Sequence, residues 1–134
     1  MIIYTDGASR GNPGHASYGF SIESLNGKII YEEGKYIGIA TNNFAEYSAV
    51  LAALNYVGNN FDKSLVVNFL MDSKLVAEQL SGRYKIKSSN LIPLINKIRK
   101  LEDNAGLISY KHIPRALNFK ADSLANKALD SRLT

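Results

Sequence analysis

The run Leu65 to Met71 is apolar at nearly every position, with Val66, Val67 and Phe69 among them, and it ends at Asp72-Ser73. A stretch this short that is apolar on both alternating faces reads as a strand covered on both sides, the environment of a parallel sheet. Parallel neighbours cannot be joined by tight turns, so helices must serve as crossovers and lie on the faces of the sheet. Ahead of this run, Ile2 to Thr5 is a short apolar strand ending at Asp6-Gly7, and the SRGNPG that follows reads as a loop. Residues 17–25 and 28–38, rich in Tyr, Phe and Ile, form a hairpin across Asn26-Gly27. That dipeptide suits a type I′ turn because both of its positions accept positive φ.

The crossovers follow. Phe44, Tyr47, Val50, Leu51, Leu54 and Val57 recur at helical spacing, with Thr41, Asn42 and Asn43 as N-cap candidates. Leu75 to Leu80 is a short helix closed by Gly82; Leu91 to Leu101 is another, with Ser88, Ser89 or Asn90 as cap and Pro93 in its first turn. Leu107 to Ile113 is the last strand, stopped by Pro114. Asn118 then caps a final helix running through Leu129, whose inner face is Ala121, Leu124, Ala125 and Ala128. The predicted order β-β-β-α-β-α-α-β-α implies an α/β fold: a mixed five-stranded sheet, antiparallel strands first and parallel strands after, flanked by helices.

At 134 residues the chain has the length of one domain, residues 1–134, and can bury a core unaided. It has no Cys, which excludes disulfides, thiol catalysis and thiolate metal sites and fits a reducing compartment. No apolar run approaches the roughly 20 residues of a membrane span, and no basic stretch precedes the short apolar N-terminal run. The expectation is a cytoplasmic protein with no membrane partner. The net charge of +4 is concentrated late: Arg83, Lys85, Lys87, Lys97, Arg99, Lys100, Lys111, Arg115 and Lys120 face only Glu102 and Asp103 in that stretch. Such asymmetry points to a polyanion.

In mixed sheets of this kind ligands bind beyond the carboxyl ends of the parallel strands. Asp6 follows the first strand and Asp72 the fourth; Glu46 and Asp122 stand in the first turns of two helices. If the two strands are parallel neighbours, both aspartates leave the sheet at one edge, and both helices can aim their carboxylates there. Carboxylates so gathered repel one another unless cations neutralise them, and oxygen-only donors suit Mg2+ or Mn2+. Each residue taken alone has a plainer role: Asp at a strand-helix junction caps, and Glu in a first turn complements the helix dipole.

Four blocks carry a resemblance. They are TDGASRGNPG at 5–14, TNNFAEYSAV at 41–50, MDSKLVAEQLSG at 71–82 and HIPRALNFKADSLANKAL at 112–129. In this order and at these spacings the chain resembles type 1 ribonuclease H over essentially its whole length. The resemblance implies a ribonuclease H-like fold and endonucleolytic hydrolysis of the RNA strand of RNA-DNA hybrids, giving 5′-phosphate and 3′-hydroxyl ends. It implies two Mg2+ ions, with Mn2+ able to substitute, held by Asp6, Glu46, Asp72 and Asp122. It implies that Gly7, Ala8, Ser9, Gly11 and Asn12 line the RNA side and that Asn42 and Asn43 reach base edges. Thr41 and Asn90 match a pocket for a DNA phosphate. Helix capping is the alternative role for Asn42, Asn43 and Asn90, and both roles can coexist.

The chain also departs from that pattern. Many relatives insert a basic, Trp-containing helix as a handle on the hybrid, whereas here Gly82-Arg83-Tyr84-Lys85-Ile86-Lys87 bridges two helices directly. The chain resembles the handle-less branch, expected to work as a monomer, with Tyr84 either against the DNA backbone or packed on the core. For the auxiliary role played by a mobile His in handle-bearing relatives there are two candidates. His112 lies ten residues before Asp122, and Arg115 sits in the Pro-Arg pattern of handle-less relatives. Arg115 is the favoured one; a guanidinium stabilises phosphate charge but cannot act as a general acid.

Overall fold

Residues 1–132 are described by a computed structural model. The elements are β1 (Ile2–Gly11), β2 (Gly14–Glu23), β3 (Ile29–Ala40), α1 (Asn42–Asn60), β4 (Val66–Met71), α2 (Lys74–Leu80), α3 (Ile92–Glu102), β5 (Leu107–His112) and α4 (Phe119–Ser131), with a 3-10 turn at Arg115–Leu117 before α4. The five strands form one sheet in the order β3-β2-β1-β4-β5. β1–β2 and β2–β3 are antiparallel, while β1–β4 and β4–β5 are parallel, as the crossover argument requires.

The two faces of the sheet are covered differently. On one, Ile3, Phe20, Ile22, Val67, Phe69 and Met71 meet Tyr47, Val50, Leu54 and Val57 of α1 and Leu94, Ile95 and Ile98 of α3 in the main core. Each of the larger side chains contributes about 1.5–3 kcal/mol by leaving water. On the other face α4 lies across β1, β2 and β3, burying Ala121, Ala125 and Leu129. Its approach is close because the strands offer small residues there. A Cβ on Gly19 would collide with the backbone of Ala121 and Ala125, and one on Gly34 with Leu124. The Ser17 hydroxyl donates to the Ala125 carbonyl at 2.5 Å.

Several local expectations are corrected. β1 does not end at Thr5: it continues to Gly11 paired with β2, with Asp6 opposite Gly19, so SRG belongs to the strand and Asn12-Pro13 makes the turn. The antiparallel partner extends a strand whose own sequence turns polar, because β2 supplies the ladder. The β2–β3 connection is not a type I′ turn, since Gly27 has φ +86° but Asn26 has no positive φ. Ser24 instead closes a longer loop through backbone bonds with Gly27 and Lys28. None of Ser88, Ser89 and Asn90 caps α3, whose cap position is Leu91 and carries no side-chain cap. Thr41 does cap α1, its Oγ1 accepting from the Phe44 N–H at 3.1 Å, and Ser73 caps α2.

Candidate active site

Thr5 and Met71 are partners in the parallel β1–β4 ladder. The residues after them are therefore side by side, and these are Asp6 and Asp72. β4 ends here and β1 does not, so Asp6 projects from a strand still held on its other side by β2. Glu46 arrives from α1, in the second turn rather than the first. Its approach depends on Gly7, because a Cβ there would collide with the Glu46 nitrogen and the Ala45 carbonyl carbon. One oxygen from each of Asp6, Glu46 and Asp72 lies within 4.8 Å of the others. Asp122, in the first turn of α4, stands outside that triple but close enough for its charge to act on Asp6.

The electrostatics follow from the geometry. Burial, then the charge of Asp72 beside it, then that of Asp122, push Asp6 up to about 7. Burial and the neighbouring Asp6 carboxylate likewise hold Glu46 well above its ordinary range, opposed by a hydrogen bond from the Gly7 N–H. The Oε2 atom of Glu46 is buried and has no hydrogen-bond partner among the described residues. Native proteins rarely leave such an atom unsatisfied. An oxygen-only donor set with mutually repelling charge and one orphaned oxygen fits a hard divalent cation.

Two side chains hold the carboxylates in place, and the sequence reading did not single them out as site residues. Asn118 occupies the cap position of α4 but makes no side-chain cap. It is fully buried, and its Nδ2 donates to the Thr5 carbonyl at 2.9 Å and to Asp72 Oδ2 at 3.3 Å. Asn126 Nδ2 donates to the carbonyl of Asp122 at 2.9 Å and to its Oδ1 at 3.2 Å. The available signal was the residue type. Of the cap residues only Asn carries an amide donor able to reach a carboxylate, and Asn126 lies one helical turn past Asp122.

Gly7, Ala8 and Ser9 lie along β1, not in a loop, with Gly11 (φ +99°) and Asn12 at its end. Asn12 Oδ1 accepts from the Asn42 N–H at 3.0 Å, and the Ser9 hydroxyl reaches the Ala40 carbonyl at 3.0 Å. These bonds stitch the end of β1 to the start of α1, where Thr41 and Asn42 are exposed and Asn43 half-buried. The structure does not bring Tyr84 or Asn90 into the carboxylate cluster. Both are exposed on the connector between α2 and α3, which Gln79 anchors by donating to the Lys85 carbonyl at 3.2 Å. Arg115 is exposed at the start of the 3-10 turn. His112, also exposed, ends β5 opposite Met71, on the same face as Tyr110, where its charge acts on Glu78 of α2.

Residues 4–128 match the family model described as reverse transcriptase-like. A bifunctional protein of Mycobacterium tuberculosis is 42% identical over 132 residues, covering 98% of this chain. The RNase H1 of the halophilic archaeon Halobacterium salinarum has a crystal structure that superposes with a TM-score of 0.91 at 42% identity, covering 97% of each chain. LC11-RNase H1, solved in complex with an RNA/DNA hybrid, superposes with a TM-score of 0.95 at 40% identity over 99% of each chain. The chain belongs to the type 1 ribonuclease H family. It spans 36% of the length of the mycobacterial relative, so this ribonuclease H fold corresponds to one part of that longer protein. Within the ribonuclease H fold, the sheet order and the pairing of β1 with β4 set the two aspartates side by side.

Proposed function

We propose that the chain is an endonuclease that hydrolyses the RNA strand of RNA-DNA hybrids with the help of two divalent cations, Mg2+ or in its place Mn2+, leaving 5′-phosphate and 3′-hydroxyl ends. The observation that carries this reading is the convergence of Asp6, Glu46 and Asp72 within 4.8 Å around an unpartnered carboxylate oxygen. Membership of the ribonuclease H family supports the substrate class, and the hybrid bound to LC11-RNase H1 supports the mode of binding.

Asp6, Glu46, Asp72 and Asp122 would hold the cations. Bound there, divalent cations supply Lewis acidity to the attacking water and to the departing 3′ oxygen. Asn118 fixes the rotamer of Asp72 and its distance from β1, while Asn126 orients Asp122. Because Asp6 stands on a strand paired on both sides up to Thr5, the cluster is presented from rigid backbone, as precise chemistry requires. No side-chain nucleophile is needed, which suits a chain without Cys.

Substrate reading falls to the elements stitched together beside the cluster. Gly7, Ala8, Ser9, Gly11 and Asn12 line the RNA side, where the 2′-hydroxyl separates RNA from DNA. Asn42 and Asn43 reach base edges from the start of α1, and Thr41, Asn90 and Tyr84 hold the DNA strand. Arg115 stabilises charge on the scissile phosphate. Supporting it over His112 is the direction of the strand: His112 shares the face of Tyr110 and lies near Glu78, on the side of α2. Monomeric action in the cytoplasm belongs to the same reading. The test is cleavage of end-labelled RNA-DNA hybrid, double-stranded RNA and double-stranded DNA side by side, with and without metal. Metal-dependent cutting confined to the RNA of the hybrid is expected; equal cutting of duplex DNA refutes the assignment.

A further inference from the structure

On the flank of α4 away from the carboxylates lies an open cleft of about 680 Å3, bounded by Gly34, Lys35 and Tyr36 of β3 and by Leu124, Lys127 and Ala128 of α4, with Ser131 and Arg132 at its end. Its separation from the catalytic cluster follows from helix geometry. At 100° per residue, Asp122 and Asn126 occupy one side of α4, and Leu124, Ala128 and Ser131 the other. Among the described residues, the charged side chains that line the cleft are Lys35, Lys127 and Arg132, all of them cationic. The nearest acid on the C-terminal half of α4, Asp130, is already matched by Arg10 at 2.5 Å.

The cleft has a built aromatic wall. The hydroxyl of Tyr36 is held by His15 Nδ1 at 2.7 Å, and the Arg132 guanidinium lies 5.8 Å from the centre of the Tyr36 ring. Arg132 Nε is buried and has no hydrogen-bond partner among the described residues. The wall also reaches the hairpin end of β1. His15 pairs with Arg10 in the β1–β2 ladder, one rung from the Gly11–Gly14 closure whose turn carries Asn12. On the α4 face of the sheet, where Ser17 meets Ala125, His15 and Tyr36 thus connect the Arg10 rung of β1 to the three cations.

We propose that this cleft binds the phosphodiester backbone of a single nucleic-acid strand running on from the hybrid, with Lys35, Lys127 and Arg132 contacting phosphates. The inference rests on the proposed ribonuclease H activity and goes beyond it by adding a preference for substrates with single-stranded extensions. A cation-lined groove with one aromatic wall is how sequence-tolerant single-strand binding is built. The volume is that of a site for one small ligand or a short length of strand, not for a duplex. In a domain without a basic handle, such a site supplies part of the missing electrostatic grip.

The test compares binding of a short blunt RNA-DNA hybrid with that of the same hybrid carrying a single-stranded extension at each of its ends in turn, over a range of salt. The wild-type chain is expected to favour one extended form roughly tenfold, with a steeper salt dependence of about 0.7 in the logarithmic slope for each added phosphate contact. In K35A/K127A/R132A the ratio of extended to blunt affinity falls to one. Because Arg132 packs on Tyr36, the exposed charge reversals Lys35→Glu and Lys127→Glu provide a second pair of variants, and both must lower the ratio. Equal affinity of the wild type for blunt and extended hybrids, or an unchanged ratio in the charge reversals, overturns the proposal and leaves the ribonuclease H reading standing. Failure of the wild type to bind the blunt hybrid overturns that reading as well.

Discussion

Asn118 and Asp72 are joined by a hydrogen bond of 3.3 Å, and the same amide nitrogen holds the carbonyl of Thr5, the residue before Asp6, at 2.9 Å. One buried side chain therefore sets the relation between two carboxylates from different strands. Asn118→Asp keeps the shape but replaces the donor with another acid. It is expected to lower kcat about ten- to a hundredfold and to weaken metal binding, with KM for the hybrid nearly unchanged. Asn118→Ala is expected to cost about 1–3 kcal/mol of stability in addition, because the Thr5 carbonyl loses its buried donor. A variant that loses stability but keeps its metal affinity and kcat would show that Asn118 only supports the start of α4.

The repulsion around Asp6 has a sign that can be measured. Its carboxyl is pushed from near 3.8 up to about 7 in the folded chain, burial contributing most and Asp72 next. Between those values the native state holds a proton that the unfolded state has released. Stability of the metal-free protein therefore falls as pH rises from about 4 to 7, by a few kcal/mol at most from this group. Asp6→Asn should flatten that part of the profile, raise Tm at neutral pH without metal, and abolish metal-dependent cleavage. Mg2+ should raise Tm of the wild type above pH 7 and leave Asp6→Asn unmoved. Parallel pH profiles for the two proteins in chelator would refute the repulsive cluster.

Gly7 has ordinary backbone angles; what it lacks is a side chain where α1 presses on β1. Gly7→Ala should push the Ala45–Glu46 backbone away and cost about 1–3 kcal/mol, the scale of overpacking a close contact. Because Glu46 moves with it, metal affinity should fall further than in a surface control such as Leu25→Ala. Equal metal affinity with reduced stability would separate packing from the site.

Arg115→Ala is expected to lower kcat roughly ten- to a thousandfold, the cost of one transition-state contact, with Arg115→Lys recovering part of it. His112→Ala should leave the rate within a few-fold and the pH-rate profile unchanged. A large loss in His112→Ala with Arg115→Ala close to wild type reverses the assignment.

Much of this was legible in the residues. The apolar run before Asp72 and the short strand before Asp6 were enough to place two carboxylates at one edge of a parallel pair, and the ladder between Thr5 and Met71 is that pair. What could not be read locally was decided by a distant partner. Ser9 to Gly11 look like a loop because their strand character comes from pairing with β2, not from their own side chains. Asn118 looks like a cap because nothing in its neighbourhood reveals that Thr5 and Asp72 lie within reach. Asn26-Gly27 favours a tight turn by itself, yet Ser24 draws the chain into a wider one. The absence of a capping side chain on α3 has the same origin: Leu91 is buried in the core, and that burial fixes where the helix begins.

The docking of α4 against Gly19 and Gly34 also sets when the site comes into being during synthesis. Asp6, Glu46 and Asp72 are available once β4 has formed, but Asn118 and Asp122 arrive with the last helix, and Asn118 is the tether between the two aspartates. A nascent chain still lacking α4 exposes the small-residue face of β1, β2 and β3 and carries an acidic cluster without its tether. Domains complete their folding as units during translation. The chain therefore cannot complete the proposed site until α4 has left the ribosome.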